Sequence, residues 1–220
     1  MLISHKYRVI FVHIQRTGGT SVSNIFIDND PDLVMKLPAE NVSKRLIHCF
    51  ISDLKPVLSA DEFENYTKFS IVRNPYERLY SWYLMFKHNS IHGFESEKTD
   101  EVVEKAVLMY DSIREKLDPY IASFDDFLTV PNEGFFQRFY YNQLDYLEIN
   151  QQFAMDKVLR FEHLSDDFNA FAKELNLNAS LAHINKSVSE KSYRDVYSEK
   201  AKKLVAERFA KDLDFFGYSF

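Results

Sequence analysis

Cysteine and long apolar runs are nearly absent from this chain of 220 residues. Its one cysteine, Cys49, rules out an internal disulfide and is typical of a protein in a reducing compartment. Residues 1–7 lack the apolar segment of a signal peptide, and no apolar run approaches the length that crosses a bilayer. We therefore expect a cytoplasmic protein with no membrane span.

Positive charge is also in short supply. The 27 lysines and arginines are outnumbered by 33 acidic residues, which gives a formal net charge of −6 at pH 7. A protein that binds nucleic acid usually carries a net basic face, so we expect no nucleic-acid partner. His88 and His92 have helical i, i+4 spacing, but no carboxylate or cysteine motif accompanies them. We therefore expect no metal site.

Glycine is scarce, yet two of the five glycines, Gly18 and Gly19, are adjacent and follow an apolar run. At a strand-to-helix turn, glycine lets the backbone adopt positive φ and approach a ligand closely. The N–H groups of residues 17–21 would point outward from the helix N-terminus, where the dipole favours an anion. Arg16 adds a planar cation suited to phosphate or sulfate oxygens. Hydroxyl groups come from Thr17, Thr20 and Ser21. The turn predicts a phosphate-binding loop, although the glycines alone would also fit an ordinary polar-capped turn.

A second apolar run stops at a cation in the same way. Residues 69–72 are followed by Arg73, and Pro75 fits the first turn of a helix because its missing N–H costs nothing there. Ser81 lies two helical turns further on. This pattern predicts that Arg73 and Ser81 hold a second phosphate, with a solitary surface arginine as the alternative for Arg73. Arg78 fits either a second clamp or a surface ion pair.

The chain shows an α/β rhythm over its whole length. Strands are predicted at 8–14, 44–50, 67–73 and 156–161, each followed by a helical pattern. Helices are predicted at 76–91, 101–117, 123–128, 164–175 and 198–213, whereas the pattern of 135–147 is mixed. No linker or repeat divides the chain, so we expect a single domain over 1–220 with a central, mainly parallel sheet.

Both phosphate motifs resemble those of a known family. Residues 13–21, with the sequence H-I-Q-R-T-G-G-T-S, resemble the 5′-phosphosulfate loop H-I-P-K-T-G-G-T-S of carbohydrate sulfotransferases such as the heparan sulfate 2-O- and 6-O-sulfotransferases. Residues 71–79 with Ser81 resemble the 3′-phosphate motif of that family. Weaker likeness at 158–164, 183–187 and 216–218 extends the resemblance over nearly the whole chain. It implies a P-loop-like three-layer sandwich and a single-domain bacterial enzyme.

The resemblance also implies a donor, an acceptor and residue roles. The donor would be 3′-phosphoadenosine-5′-phosphosulfate (PAPS), the product 3′,5′-adenosine bisphosphate (PAP), and the acceptor a hydroxyl of a glycan or related compound. The 5′-phosphosulfate would be held by Arg16, Thr17, Gly18, Gly19, Thr20 and Ser21. Arg73 and Ser81 would hold the 3′-phosphate, and a later loop with Ser187 and Tyr193 would close over this phosphate and the base. No metal would be required, because arginines and backbone dipoles neutralise the charge.

A histidine is the natural candidate for the base that removes the acceptor's proton. His48 lies near the end of the predicted strand at 44–50, and strand ends on one edge of a parallel sheet converge on the ligand crevice. A near-neutral pKa suits this role, and members of the family carry a catalytic histidine in the corresponding region. The alternative is a histidine whose bonds are satisfied inside a core, which is also the interpretation that we favour for His13.

One position departs from the family pattern in a way that bears on chemistry. Arg16 stands where the family has lysine, and Gln15 where it has proline. Arginine stays charged and can neutralise the leaving phosphate, but it is a poor proton donor. Because electrostatic stabilisation is usually the larger part of such catalysis, we expect an active enzyme with slower turnover.

Two other functions remain open at this point. A nucleotide-binding module without turnover is compatible with Arg16. A P-loop-type nucleoside or sugar kinase would share the fold, but Walker A spacing and the Lys-Ser or Lys-Thr pair after the glycines are missing. The acceptor is open among a polysaccharide, a small glycan, a non-sugar alcohol and a tyrosine-bearing substrate, and the sequence does not determine the oligomeric state.

Overall fold

The structure, a computed structural model, describes residues 1–35, 48–88, 110–182 and 192–220. The described residues divide into two compact units. The first unit contains Met1–Asn74 and Asn142–Val188 in their described parts. The second contains Pro75–Tyr141 and Ser189–Phe220, again in their described parts.

The described chain contains both strands and helices. The strands are β1 (Leu2–Ser4), β2 (Val9–Val12), β3 (Thr67–Val72), β4 (Glu148–Ile149), β5 (Gln152–Phe153) and β6 (Lys157–Arg160). The helices are α1 (Gly19–Asn29), α2 (Ile51–Leu54), α3 (Ala60–Asn65), α4 (Pro75–Lys87), α5 (described over 110–117), α6 (Phe124–Phe127), α7 (Gln143–Leu147), α8 (Leu164–Glu174), α9 (Glu199–Arg208) and α10 (Ala210–Phe216). Short 3-10 turns lie at Asp118–Tyr120, Gly134–Phe139, Phe161–His163 and Tyr193–Asp195.

The first unit is built on a four-stranded sheet with the order β1-β2-β3-β6. Strands β2, β3 and β6 are parallel, whereas β1 is antiparallel to β2. In this register Val12 lies beside Ser70, and Val72 lies beside Arg160. The carboxyl ends of β2 and β3, where both phosphate motifs begin, therefore lie at the same edge of the sheet.

Helices α1 and α8 cover one face of this sheet. Alternate strand residues point to the same face, and here they form one apolar cluster with the two helices. The buried members are Leu2, Val9, Phe11, Val22, Phe26, Phe69, Ile71, Leu159, Leu164, Phe168, Phe171, Ala172, Leu177 and Leu181. The residues between them, such as Ile10 and Val12, are buried as well. Burial on both faces explains why the parallel strands are continuous apolar runs. The unit is an α/β fold in which helices flank a mainly parallel sheet, as predicted.

The second unit is helical in its described part and has a core of aromatic rings. The buried aromatic residues are Tyr76, Tyr80, Trp82, Tyr83, Phe86, Tyr110, Phe124, Phe127, Phe136, Phe139, Tyr197 and Phe209. Many of them meet edge to face, as Tyr83 and Phe124 do with 5.4 Å between ring centroids. Much of the aromatic content of the chain is therefore structural.

Most of the predicted elements are confirmed. The strands predicted at 8–14, 67–73 and 156–161 are β2, β3 and β6, and the helices predicted at 76–91 and 164–175 are α4 and α8 in their described parts. The prediction of a strand at 44–50 is wrong for residues 48–50, which are followed at once by α2, and 44–47 lie outside the described residues. The helix predicted at 198–213 is two helices, divided at Phe209.

Three short strands were not predicted. Strand β1 has three residues, and β4 and β5 have two each, so none is long enough to show an alternating pattern. Among the described residues, no helix has both the length and the apolar content to cross a membrane. The single domain over 1–220 stays a prediction.

Candidate functional site

The turn between β2 and α1 has an unusual backbone. Gly18 has φ of 82°, and Arg16 has φ of 65°, a conformation that is rare for residues other than glycine. A non-glycine residue in this region costs about 1–3 kcal/mol and persists only where its surroundings enforce it. The turn is therefore held in one constrained shape, immediately before the first amides of α1.

Helix α1 begins without a side-chain cap. Its N-cap residue is Gly18, no side chain of the described residues caps it, and its first turn contains no acidic residue. The first N–H groups of a helix have no partner within the helix, and the dipole makes this end electropositive. An eleven-residue helix that begins in this way is suited to an anion.

Both glycines of the turn pack closely against side chains of their own unit. A Cβ atom at Gly19 would lie 2.3 Å from Cδ2 and 2.4 Å from Nε2 of His13. A Cβ atom at Gly18 would lie 2.8 Å from Cδ2 of Leu164 and 3.0 Å from Cδ2 of Phe161. The glycines are thus required by protein packing, in addition to any close approach of a ligand.

Arg73 connects the two phosphate motifs. It follows β3 directly, and its Nη1 donates a hydrogen bond to the carbonyl oxygen of Arg16 at 3.1 Å. Its main chain is fixed by Gln143 of α7: the Arg73 N–H donates to Oε1 at 2.9 Å, and Nε2 donates to the Arg73 carbonyl oxygen at 2.8 Å. The structure therefore brings Arg16 and Arg73 together, as the sequence predicts.

Sequence reasoning missed the two residues that hold Arg73. The Gln143 side chain is fully buried, and the Phe161 ring lies under the Arg73 guanidinium group, with 3.8 Å from Cζ to the ring centroid. The only local signal was a polar residue, Gln143, in a segment whose neighbours Leu144 and Leu147 are apolar. Nothing near Phe161 in the sequence indicates its partner.

His48 lies beside the start of this turn through a contact with His13. Nδ1 of His48 donates to the carbonyl oxygen of His13, with 2.9 Å between the two atoms, and the ring centroids are 4.7 Å apart. A carbonyl oxygen only accepts, so Nδ1 carries the proton and Nε2 is the basic nitrogen of a neutral His48. Burial above all, and also the nearby His48 ring and the Met1 amino group, hold the pKa of His13 well below its ordinary value.

A comparison with families of known proteins decides what this site belongs to. The model of the Sulfotransferase family matches residues 1–219. The chain belongs to the sulfotransferase family. A search of curated proteins found no match. Members of this family use PAPS as sulfuryl donor, so the protein is a PAPS-dependent sulfotransferase.

Within the loop of this sulfotransferase, two predicted contacts take a different form. The Thr17 hydroxyl is buried and donates to the carbonyl oxygen of Ile14 at 2.9 Å, so its proton is used inside the turn. The Ser21 N–H donates to the Gly18 carbonyl oxygen at 3.2 Å, which leaves the Ser21 hydroxyl as its predicted donor. Thr20 is exposed and Ser21 is half-buried.

The remaining predicted site residues of the sulfotransferase lie in the second unit or outside the residues that the structure describes. Ser81 is buried in the second turn of α4. The half-buried Tyr193 ring packs edge to face against Tyr197 and Phe220, at 6.3 Å and 5.7 Å between centroids. Ser187 lies outside the described residues. Their contacts with the donor stay predictions.

The structure excludes one of the two interpretations of Arg78, that of a surface arginine in an ion pair. It is 3% exposed, and its Nη1 donates to the carbonyl oxygen of Tyr141 at 3.2 Å.

In the described part of the chain, no group of three or more histidine, cysteine, aspartate or glutamate side chains is arranged to hold a metal ion.

Proposed function

We propose that this sulfotransferase transfers the sulfuryl group of PAPS to a hydroxyl of a glycan or related acceptor by direct in-line displacement. One observation carries the proposal: the hydrogen bond from Arg73 to the Arg16 carbonyl joins the two phosphate motifs at one edge of the sheet. Ligands of parallel α/β sheets bind outside the carboxyl ends of the strands. A donor with phosphates at its 5′ and 3′ positions is suited to this pair of motifs.

The 5′-phosphosulfate is assigned to the start of α1. The uncapped N-terminus, without an acid in its first turn, supplies backbone donors and the positive end of the helix dipole. The Arg16 side chain adds a permanent charge, which stabilises the negative charge that develops on the leaving phosphate. We expect no metal requirement, because these groups neutralise charge as Mg²⁺ does in kinases.

The 3′-phosphate is assigned to Arg73. A guanidinium group has five N–H donors, and its bond to the Arg16 carbonyl uses one of them. Because Arg73 is hydrogen-bonded to the main chain of the loop, its side chain would bind the 3′-phosphate and also hold the 5′ site in place. The enzyme would then prefer PAPS and PAP to ATP, which lacks a 3′-phosphate.

His48 is assigned as the general base. The acceptor oxygen attacks sulfur, the bond from sulfur to the 5′-phosphate oxygen breaks, and the electron pair leaves with PAP. Nε2 of His48 takes the acceptor's proton, since Nδ1 already carries a proton that it donates to His13. The His13 carbonyl thus fixes the tautomer that a base requires.

The acceptor class and the setting rest on the sequence. A glycan is favoured because residues 13–21 and 71–79 resemble the motifs of heparan sulfate sulfotransferases. A bacterial, cytoplasmic enzyme is part of the same proposal, and the single cysteine suits a reducing compartment. The kinase alternative is set aside because the chain belongs to the sulfotransferase family.

Calorimetry with PAP, 5′-AMP and ATP tests the nucleotide assignment. The wild type should bind PAP about 10- to 100-fold more tightly than 5′-AMP, the range expected for charge-assisted hydrogen bonds to one phosphate. Arg73→Ala should erase this preference. Arg8→Ala is the matched control, because Arg8 precedes the opposite end of β2. Equal affinity of the wild type for PAP and ATP would contradict the assignment.

A transfer assay with labelled PAPS and a panel of oligosaccharides tests the base and the acceptor. His48→Ala should lower the transfer rate by about 100-fold or more and leave PAP affinity unchanged, because the residue acts on the acceptor's proton. His163→Ala is the control, since His163 is an exposed histidine of the same unit. Normal transfer by His48→Ala would show that another group is the base.

A further inference from the structure

Phe161 lies outside both phosphate motifs but next to each of them in space. It follows β6 directly and opens the 3-10 turn Phe161–His163 that leads into α8. Its side chain is half-buried and packs against the apolar cluster of the sheet. Strand β6 pairs in parallel with β3, so Phe161 lies at the edge of the sheet where β3 ends.

The face of the Phe161 ring supports Arg73. The guanidinium carbon lies 3.8 Å from the ring centroid, well within the range of a cation–π contact. Such contacts are stronger when the cation is withdrawn from water, and Arg73 is only 8% exposed. A planar guanidinium group stacked on a ring is also fixed in orientation, which a point charge would not be.

The same ring supports the start of α1. A Cβ atom at Gly18 would lie 3.0 Å from Cδ2 and 3.2 Å from Cε2 of Phe161, so the backbone of Gly18 rests against the ring. Gly18 is the N-cap of α1 and has positive φ. One side chain therefore contacts the residue proposed for the 3′-phosphate and the loop proposed for the 5′-phosphosulfate.

We propose that Phe161 is a positioning residue of the donor site, which sets the guanidinium plane of Arg73 relative to the N-terminus of α1. The inference rests on the proposed function, because it assumes that Arg73 binds the 3′-phosphate. Phe161 then determines how strongly the enzyme distinguishes a nucleotide with a 3′-phosphate from one without it. It does so through Arg73, and without a contact of its own to the nucleotide.

The test is the ratio of PAP to 5′-AMP affinity, measured by calorimetry in ring-removing and ring-keeping variants. Phe161→Leu and Phe161→Met keep an apolar side chain but remove the ring, and each should lower the ratio by about tenfold, the size of a shielded cation–π contact. Phe161→Tyr should keep the ratio within about twofold. Phe168→Leu is the structural control: this fully buried ring of α8 packs on Phe26, so its loss should lower the melting temperature and leave the ratio unchanged.

A second comparison shows whether Phe161 acts through Arg73. In an Arg73→Ala background, Phe161→Leu should leave the affinity for PAP itself unchanged. A further loss of PAP affinity as large as that in the wild-type background would mean that the ring touches the nucleotide itself, and the positioning role would be wrong. Normal ratios in Phe161→Leu and Phe161→Met, together with a lost preference in Arg73→Ala, would overturn the inference and leave the proposed function standing. A wild type without any preference for PAP would overturn both.

Discussion

Helices α1 and α3 lie in the same unit and begin in opposite ways. At the start of α3, the Ser59 hydroxyl accepts from the Glu62 N–H at 3.2 Å, and the Glu62 carboxylate accepts from the Ser59 N–H at 2.7 Å. This capping box fills the helix N-terminus with the chain's own groups. At the start of α1, Gly18 provides no side chain, and no acid follows in the first turn.

The difference separates a helix start that stabilises the fold from one suited to a ligand. Hydrogen bonds from the Ser59 side chain and backbone lower the pKa of Glu62, so the start of α3 already stabilises a negative charge of its own. An acid at the start of α1 would repel a phosphosulfate and compete for the same N–H groups. The electropositive end of α1 is instead suited to an anion from outside the chain, as the proposed function requires.

The largest effect is expected from a side chain at the start of α1. In Gly19→Ala the new Cβ would meet the His13 ring at 2.3 Å, so the loop or the ring must shift. Overpacking of this kind costs about 1–3 kcal/mol of stability. This shift should also displace two backbone N–H donors at the start of α1 and so weaken PAP binding by about 100-fold or more. Calorimetry and thermal unfolding measure the two effects.

A glycine of the second unit provides the control for Gly19→Ala. Gly134, unlike Gly19, has positive φ, and apart from its chain neighbours no atom of the described residues lies within 4 Å of a Cβ placed there. Gly134→Ala should therefore cost some backbone strain and leave PAP affinity unchanged. If Gly19→Ala binds PAP as the wild type does, the start of α1 is not the 5′ site.

The two strand-to-helix turns that carry the proposed phosphate motifs could be predicted from the sequence because each is local. An apolar run, a cation and a residue that opens a helix stand within a few positions in both. Gln143 and Phe161 could not be predicted, because they reach Arg73 only through the completed fold. Gln143 is 70 positions away from Arg73, and its signal is burial, which a single sequence does not show.

His48 lies near the loop, as predicted, but the structural reason given for its position was wrong. It was expected near the loop as the end of a strand, whereas residues 48–50 form no strand. In the structure it lies beside the loop with a hydrogen bond to the His13 carbonyl and a ring contact with His13. Sequence patterns indicate regular elements well, but a side chain held by a bond to the main chain leaves no periodic signal.

A titratable group lies at each helix start: the His13 ring packs against Gly19 of α1, and Glu62 lies in the first turn of α3. The two groups should affect stability at different pH. The folded protein resists protonation of His13, whose pKa is held well below 6.5 mainly by burial, whereas the unfolded chain takes up this proton near pH 6.5. The free energy of unfolding should therefore fall as pH drops below about 6.5, by up to about 1.4 kcal/mol per pH unit for this one group. For Glu62, whose pKa is lowered, stability is lost only as pH falls below its ordinary value of 4.5.

Urea unfolding at pH 7, 6 and 5 measures this difference. His13→Asn removes the titrating ring, so its stability should depend less steeply on pH than that of the wild type over this range. Glu62→Gln should keep the wild-type dependence over the same range and differ from it only below about pH 4.5. Equal slopes in the wild type and His13→Asn would contradict a neutral, buried His13.

The smallest expected effects give the sharpest contrast between the two helices. Ser59→Ala removes the cap of α3 and should lower the free energy of unfolding by about 1 kcal/mol, without a change in PAP affinity. Thr20→Ala removes an exposed hydroxyl from the first turn of α1, where it caps nothing. It should weaken PAP binding by about 2- to 10-fold, the worth of one hydrogen bond, and leave the melting temperature unchanged. An anion that binds only at the start of α1 should not be affected by the loss of the cap on α3. If Ser59→Ala weakened PAP binding as much as Thr20→Ala does, the two helix starts would therefore not differ in function.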